Sequence, residues 1–315
     1  MSQSIKVFAP ATVANVTCGF DILGFAVHQP GDELLLEIRD QPGLEIKDIQ
    51  GDQGLLPRDP QKNTVSVAIA HLLDHLKLDC GFNLYLQKKM PLGSGLGSSA
   101  ASAVAGVFGA NLLLGKPLET LELLPFAMQG EALACGSAHA DNVAPALLGG
   151  FVLIRSYQPL DVVKIPSPSE LYAAVLHPQI DIATKDARSI LKKQVPMKSA
   201  IQQWGNVAGL VTGLITENYP LIGRSMEDVV VEPVRSMLIP GFQEVKRAAL
   251  DAGALGCGIS GSGPSMFALS VGQEVAQSVG EAMTSALQKV DIGSDLFVSA
   301  VNQNGPLILS QDAAP

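Results

Sequence analysis

The chain has 315 residues, long enough for two domains with a core in each. Hydrophobic residues make up 47% and charged residues 16%, the balance of a packed globular protein and not of a disordered one. A formal charge of −9 excludes a nucleic-acid surface, which needs clustered Lys and Arg, but leaves room for a nucleotide held by backbone amides and a metal ion.

Cys18, Cys80, Cys135 and Cys257 are scattered and include no C-x-x-C pair. That reads as reduced thiols in a cytosolic protein, not as a disulfide frame or a zinc site. The opening MSQSIKVFAP lacks the apolar core of a signal peptide. The longest weakly polar run, Ala100 to Leu114, is too short and too glycine-bearing for a membrane span. Cytoplasm is the expected location, without membrane contact.

In chain order, IKVFAPATVANVTCGFDILGFAV reads as a strand, a loop carrying Asn15, Thr17 and Asp21, and a second apolar segment. GDELLLEIR, from Gly31, reads as another strand, and Pro42 to Lys62 as surface turns rich in Gly, Pro and Asp. Val65, Ile69, Leu72, Leu73 and Leu76 then form a helical stripe capped by Asn63 or Thr64. His71 and His75 lie on it, a metal pair or, with no third ligand near, a solvated flank. FNLYLQKKM alternates as a half-buried strand at Phe82, Leu84 and Leu86. A buried small-residue helix ends at Gly115. LPFAMQGEALACG makes a further helix, with Pro125 in its first turn and Glu131 about two turns in. GSAHADNVAPALLGG reads as a polar loop and FVLIR as a strand. YQPLDVVKIPSPSE reads as a proline-rich connection whose DVV stretch is assignable to either side.

The second half opens with the strand YAAVLHP and a short helix that Thr184 can cap and that holds Arg188. An amphipathic helix follows from Ile201 through Trp204, Val207, Ala208, Val211 and Ile215. Two helical pieces separated at Pro240 come next, with Arg235 on the first. ALGCGISGSGPSMFALSV is strand, glycine-rich turn, strand; a helix from Glu274 to Lys289 and the strand DLFVSAV complete the pattern. Strands and helices in blocks indicate an α+β fold of two layers, not a doubly wound sheet.

The densest signal is PLGSGLGSSAAS, on the strand-to-helix turn before the buried helix. A helix's first N–H groups lack intrahelical partners, and its dipole puts partial positive charge there. Gly93, Gly95 and Gly97 allow positive φ and close approach of an anion. Ser94, Ser98 and Ser99 add hydroxyls that can donate to phosphate or ligate a cation. The stretch is a phosphate cradle, or else a Gly/Ser turn that only packs the helix. It matches neither G-x-x-x-x-G-K-[ST] nor G-x-G-x-x-G: Ser98 stands where a lysine belongs, and Gly97 comes one residue early.

PATVANVTCGFD (Pro10 to Asp21), PLGSGLGSSAAS (Pro91 to Ser102) and GISGSGPS (Gly258 to Ser265), in this order and spacing, resemble the GHMP kinases. That superfamily includes galactokinase and the homoserine, mevalonate and phosphomevalonate kinases. Within it the likeness is greatest to the homoserine kinase branch, through NVTCGFD, HADNVAPALLGG from His139, TKDAR from Thr184 and VVVEPVRSMLIPGFQEV around Arg235. Val16, Thr17 and Cys18 depart from the usual SANLGPGFD, while Asn15 and Asp21 stay in place. The resemblance implies a ribosomal-protein-S5-like N-terminal domain, residues 1–157, and a ferredoxin-like C-terminal domain, residues 158–315, with the active site between them. It also implies ATP with Mg²⁺, transfer of the γ-phosphate to the hydroxyl of L-homoserine toward threonine, and a homodimer.

On this likeness ATP is bound by the whole cradle, Pro91, Leu92, Gly93, Ser94, Gly95, Leu96, Gly97, Ser98, Ser99, Ala100 and Ala101, and the metal by Ser99 and Glu131. Without it, Glu131 is an ordinary solvent-facing helix residue. Phosphoryl transfer is mostly positioning and charge neutralisation. The substrate carboxylate needs a donor fork, which Arg188 and Arg235 supply. Its ammonium needs an acceptor, for which Asp21 is the best charge; Asn15, Asn142, His139 and Thr184 complete the substrate set. Each alone has a plainer reading, as a surface ion pair or a turn-forming side chain. Asp141 is either the catalytic base or a bystander while Asn142 orients the hydroxyl. GISGSGPS is a second backbone nest or a tight turn that needs glycine. The competing functions are a mevalonate-type kinase, the superfamily's decarboxylase branch and a non-catalytic ligand sensor.

Overall fold

The computed structural model describes residues 3–136 and 139–312. The first part runs β1 (Ser4–Ala14), β2 (Leu23–Arg39), β3 (Gly43–Gln50), α1 (Thr64–Leu76), β4 (Gly81–Gln87), α2 (Ser98–Leu113), α3 (Leu124–Cys135), α4 (Ala140–Leu148), β5 (Phe151–Tyr157) and β6 (Leu160–Ile165). Then come β7 (Leu171–Pro178), α5 (Thr184–Ser189), α6 (Met197–Ile215), α7 (Tyr219–Ser225), α8 (Glu232–Arg235), α9 (Phe242–Asp251), β8 (Gly256–Ile259), β9 (Met266–Val271), α10 (Gln273–Gln288), β10 (Ser294–Ala300) and β11 (Leu307–Asp312).

Two sheets carry the fold. The first has the order β11-β1-β2-β4-β3, with β5 paired to the start of β2 and β6 paired to β5. The second is antiparallel in the order β10-β7-β9-β8. With α5 to α9 between β7 and β8, and α10 between β9 and β10, that order is the ferredoxin-like one. The GHMP architecture expected from the sequence is therefore present. The expected division after residue 157 falls in the turn of the β5–β6 hairpin, and β11 returns to the first sheet beside β1.

Packing explains the elements that sequence pattern missed. β3 lies within the stretch read as surface turns; a register shift between Ile46 and Asp48 breaks its alternation, yet Ile46 and Ile49 are buried. α4 forms where a polar loop was expected, because Val143, Ala144 and Leu147 share a buried face. Ser137 and Ala138, in the same stretch, lie outside the described residues. α6 is turned away from its apolar stripe: Ile201 and Trp204 are 58% and 62% exposed, while Gln203 is buried. The Gln203 amide donates to Cys18 O and Asp228 Oδ1 and accepts from Val229 N, so this polar side chain holds the inward position.

Candidate active site

The cradle is built from β4 into α2. Gly93, Gly95 and Gly97 have φ of 67°, 79° and 69°, so all three use the left-handed region that glycine enters freely. α2 starts at Ser98 with Gly97 as an N-cap that has no side chain to offer, leaving first-turn amides for an anion. A buried ion pair anchors this turn from below. Lys88 Nζ bonds Asp32 and donates to Ser98 O at 3.0 Å and Ser102 Oγ at 2.8 Å. Asp32 also accepts from the amides of Lys89 and Met90 and from Ser98 Oγ at 2.8 Å. The Ser98 hydroxyl is thus committed to the protein. Ser94 Oγ, by contrast, is buried with no hydrogen-bond partner among the described residues and lines the cleft. A buried hydroxyl left this way is costly unless a ligand satisfies it.

The cleft above has a volume of about 980 Å³. Leu92, Gly93, Ser94, Gly95, Gly97, Ser98 and Ser99 line it; Pro91, Leu96, Ala100 and Ala101 do not, and the last three are buried in the core. Ser99 Oγ donates to Glu131 Oε2 at 2.7 Å, so the two expected metal residues already meet. Both are oxygen donors, the chemistry a hard cation such as Mg²⁺ takes. Leu56, Pro57, Asn63 and Leu86 extend the wall, and none was named as a site residue from the sequence, where Asn63 reads as a helix cap and Leu86 as a strand position.

Asn15, Asp21, His139, Asp141, Asn142, Thr184, Arg188 and Arg235 all line the same cleft. Asn15, Val16 and Thr17 have φ of 72°, 41° and 60°, a left-handed run that is uncommon for a β-branched residue. Asn15 holds it by donating to Gly261 O at 2.8 Å and accepting from Asp21 N at 3.0 Å. Thr17 fits because Gly258 has no Cβ; one there would stand 2.6 Å from Thr17 Cγ2. Asp21 takes a two-pronged bond from Arg188 at 3.1 and 2.9 Å, with His139 Nδ1 4.0 Å away. Arg235 is 3% exposed and donates to Ala187 O at 3.1 Å and Gly261 O at 2.9 Å. Both guanidinium groups lie over the Phe20 ring, at 5.5 and 5.1 Å. Burial and the neighbouring Arg188 lower the pKa of Arg235, so its site favours an added negative charge. Thr184 is the first residue of α5 rather than its cap, Ala183, and its hydroxyl lies 3.2 Å from Ser262 Oγ.

Asp141 and Asn142 sit in the first turn of α4. Asn142 Oδ1 accepts from Thr12 Oγ1 at 2.7 Å, which fixes the amide against β1. Burial, helped by the fields of Asp21 and Glu131, pushes the Asp141 carboxyl up to about 7. Burial also lowers the pKa of His139, favouring the neutral ring. The turn from Gly258 to Ser265 joins the parts: Ser260 Oγ donates to Gly95 O, Ser265 N to Ser94 O and Gly261 N to Ala14 O. It is a glycine turn that clamps the cradle to the first loop.

His71 and His75 are exposed on α1, His75 with its ring 5.1 Å from Phe126, and no metal-binding cluster of His, Cys, Asp and Glu occurs among the described residues. Among those residues no helix is long and apolar enough to cross a membrane.

The family profile of the GHMP kinases N terminal domain matches residues 63–150, and that of the GHMP kinases C terminal matches residues 208–289. The homoserine kinase of Chlorobium phaeobacteroides strain BS1 is 50% identical, over 98% of this chain and 100% of that one. The crystal structure of homoserine kinase from Cytophaga hutchinsonii ATCC 33406 is 63% identical with a TM-score of 0.95, covering 97% of each chain. L. major mevalonate kinase, solved with R-mevalonate, shares the fold at a TM-score of 0.71 and 18% identity, covering 94% of this chain and 96% of that one. The chain belongs to the GHMP kinases and, within them, to the homoserine kinases.

Proposed function

We propose that this chain transfers the γ-phosphate of ATP to the side-chain hydroxyl of L-homoserine, giving O-phospho-L-homoserine for threonine synthesis in the cytoplasm. The observation that carries the reading is one continuous cleft lined by a phosphate cradle and by Asp21, Arg188 and Arg235. A zwitterion suits those three side chains: Arg235 and Arg188 take the carboxylate and Asp21 the ammonium. A mevalonate-type acceptor has no ammonium to engage Asp21.

ATP fits the cradle through the first-turn amides of α2 and the partnerless Ser94 hydroxyl. Ser99 and Glu131 would hold Mg²⁺, which when bound neutralises phosphate charge. Asn142, fixed by Thr12, orients the hydroxyl. Asp141, with its carboxyl at about 7, accepts the hydroxyl proton as the oxygen bonds to phosphorus and the bond to the ADP oxygen breaks. The exposed, nearly charge-free face of α6 with Ile201, Trp204 and Ile215 supports a homodimer. A substrate panel with ATP and Mg²⁺ tests the proposal. ADP release is expected with L-homoserine and not with mevalonate or galactose; release on mevalonate alone overturns the reading.

A further inference from the structure

α4 carries Asp141 and Asn142 in its first turn, but its N-cap residue, His139, makes no side-chain capping bond. An uncapped helix end leaves amides unsatisfied and the first turn prone to fray. The missing acceptor comes from another element. Tyr157, the last residue of β5, places its hydroxyl 3.3 Å from the amide of Ala140, the first residue of α4. The same hydroxyl donates its proton to the backbone oxygen of Asp21 at 2.9 Å. The ring stands edge-on to His139, centroids 6.3 Å apart at 90°.

We infer that Tyr157 is a positioning residue for the acceptor half of the site, pinning the loop that carries Asp21 to the helix that carries Asp141 and Asn142. One hydroxyl fulfils both roles, accepting from the helix and donating to the loop. Its position sets the spacing between the group that meets the substrate ammonium and the groups that meet the hydroxyl. Burial and the nearby Asp141 push the Tyr157 hydroxyl up to about 12, so it stays a proton donor throughout the neutral range. Phenylalanine cannot do this work, because the ring would remain while the link between loop and helix is lost. The cradle has anchors of its own: Ser94 to Ser99 bond to Lys88, Asp32, Thr12, Glu131 and the Gly258–Ser265 turn, and none of these bonds involves Tyr157.

The inference rests on the homoserine reading, and the test separates the two. Tyr157→Phe removes one oxygen from a residue that is 36% exposed, so the variant is expected to fold, with Tm lowered by a few degrees at most. Loss of both hydrogen bonds, and with them the link between loop and helix, predicts a rise of about ten-fold in KM for homoserine, with the KM for ATP unchanged. A parallel rise in both constants, a fall in Tm large enough to explain the loss, or no change in any of them overturns the assignment. Should wild-type enzyme reject homoserine, the functional reading falls first, and the same comparison is made with whichever alcohol of the panel it phosphorylates.

Discussion

Arg235→Leu is the substitution that asks most of the substrate assignment. It removes the guanidinium that would meet the substrate carboxylate, and it also removes two bonds inside the protein. Gly261 O keeps its bond from Asn15, whereas Ala187 O loses the donor seen at 3.1 Å. One orphaned buried carbonyl costs about 1–3 kcal/mol of stability. That cost is the same whichever substrate is bound. Removing one member of a desolvated charge pair costs about 2–5 kcal/mol, roughly thirty-fold to several-thousand-fold in kcat/KM. The assay is therefore a two-by-two cycle: wild type and variant, each with L-homoserine and with its carboxamide. The carboxamide loses heavily on wild type and little on the variant, because its partner is already gone there. Arg188 also lies over the Phe20 ring and is expected to preserve a remainder of discrimination. If the two losses multiply as independent factors, Arg235 does not touch the carboxylate and the assignment loses a main support.

Four further outcomes follow from the geometry. A Cβ at Gly97 would stand 2.1 Å from Thr12 Oγ1 and 2.9 Å from Asn142 Oδ1, so Gly97→Val should lower Tm as well as abolish ATP binding; an unchanged melting curve would mean that contact is not what requires glycine. Lys88→Met and Asp32→Asn should each cost about 3–5 kcal/mol in urea unfolding, while the double variant costs far less than their sum; simple additivity would show the buried pair is not coupled. With Asp141 as base, kcat/KM should climb as pH rises through about 7, and Asp141→Asn should remove that limb. Because its folded pKa lies above the ordinary value, the Asp141 carboxyl stabilises the fold below about 4 and loses that contribution as pH rises through about 7. Asp141→Asn should accordingly gain stability relative to wild type at pH 8 compared with pH 5, read from paired melting curves.

The build of the cradle was legible because it is local: a strand, three glycines and a helix start are all within one short stretch. The acceptor end was legible only through the family likeness, since Asp21, Asp141, Arg188 and Arg235 are far apart in the chain and each is ordinary alone. Residues that act by reaching across elements left little trace. Thr12 reads as a strand residue, Phe20 as a loop aromatic and Tyr157 as the edge of a linker, yet they anchor Asn142, lie beneath both guanidinium groups and hold Asp21. Asp32 and Lys88 were not singled out either, each being one charge among several in its stretch, and only the fold brings them together. Helix α6 misled for a different reason. Periodicity identifies an apolar face without saying what covers it, and here the Gln203 bonds decide which face turns inward.

The pairing of β11 with β1 sets an order on synthesis. Ser4 lies opposite Asp312, with a 2.9 Å bond between their side chains, so the strand made first is covered by the strand made last. While the ribosome produces everything between them, the outer edge of β1 stays open, a ready template for another chain. The ferredoxin-like sheet, whose four strands all precede β11, can close before the first sheet does. The sheet that carries the cradle thus begins before the ferredoxin-like sheet and is completed after it, when β11 joins β1.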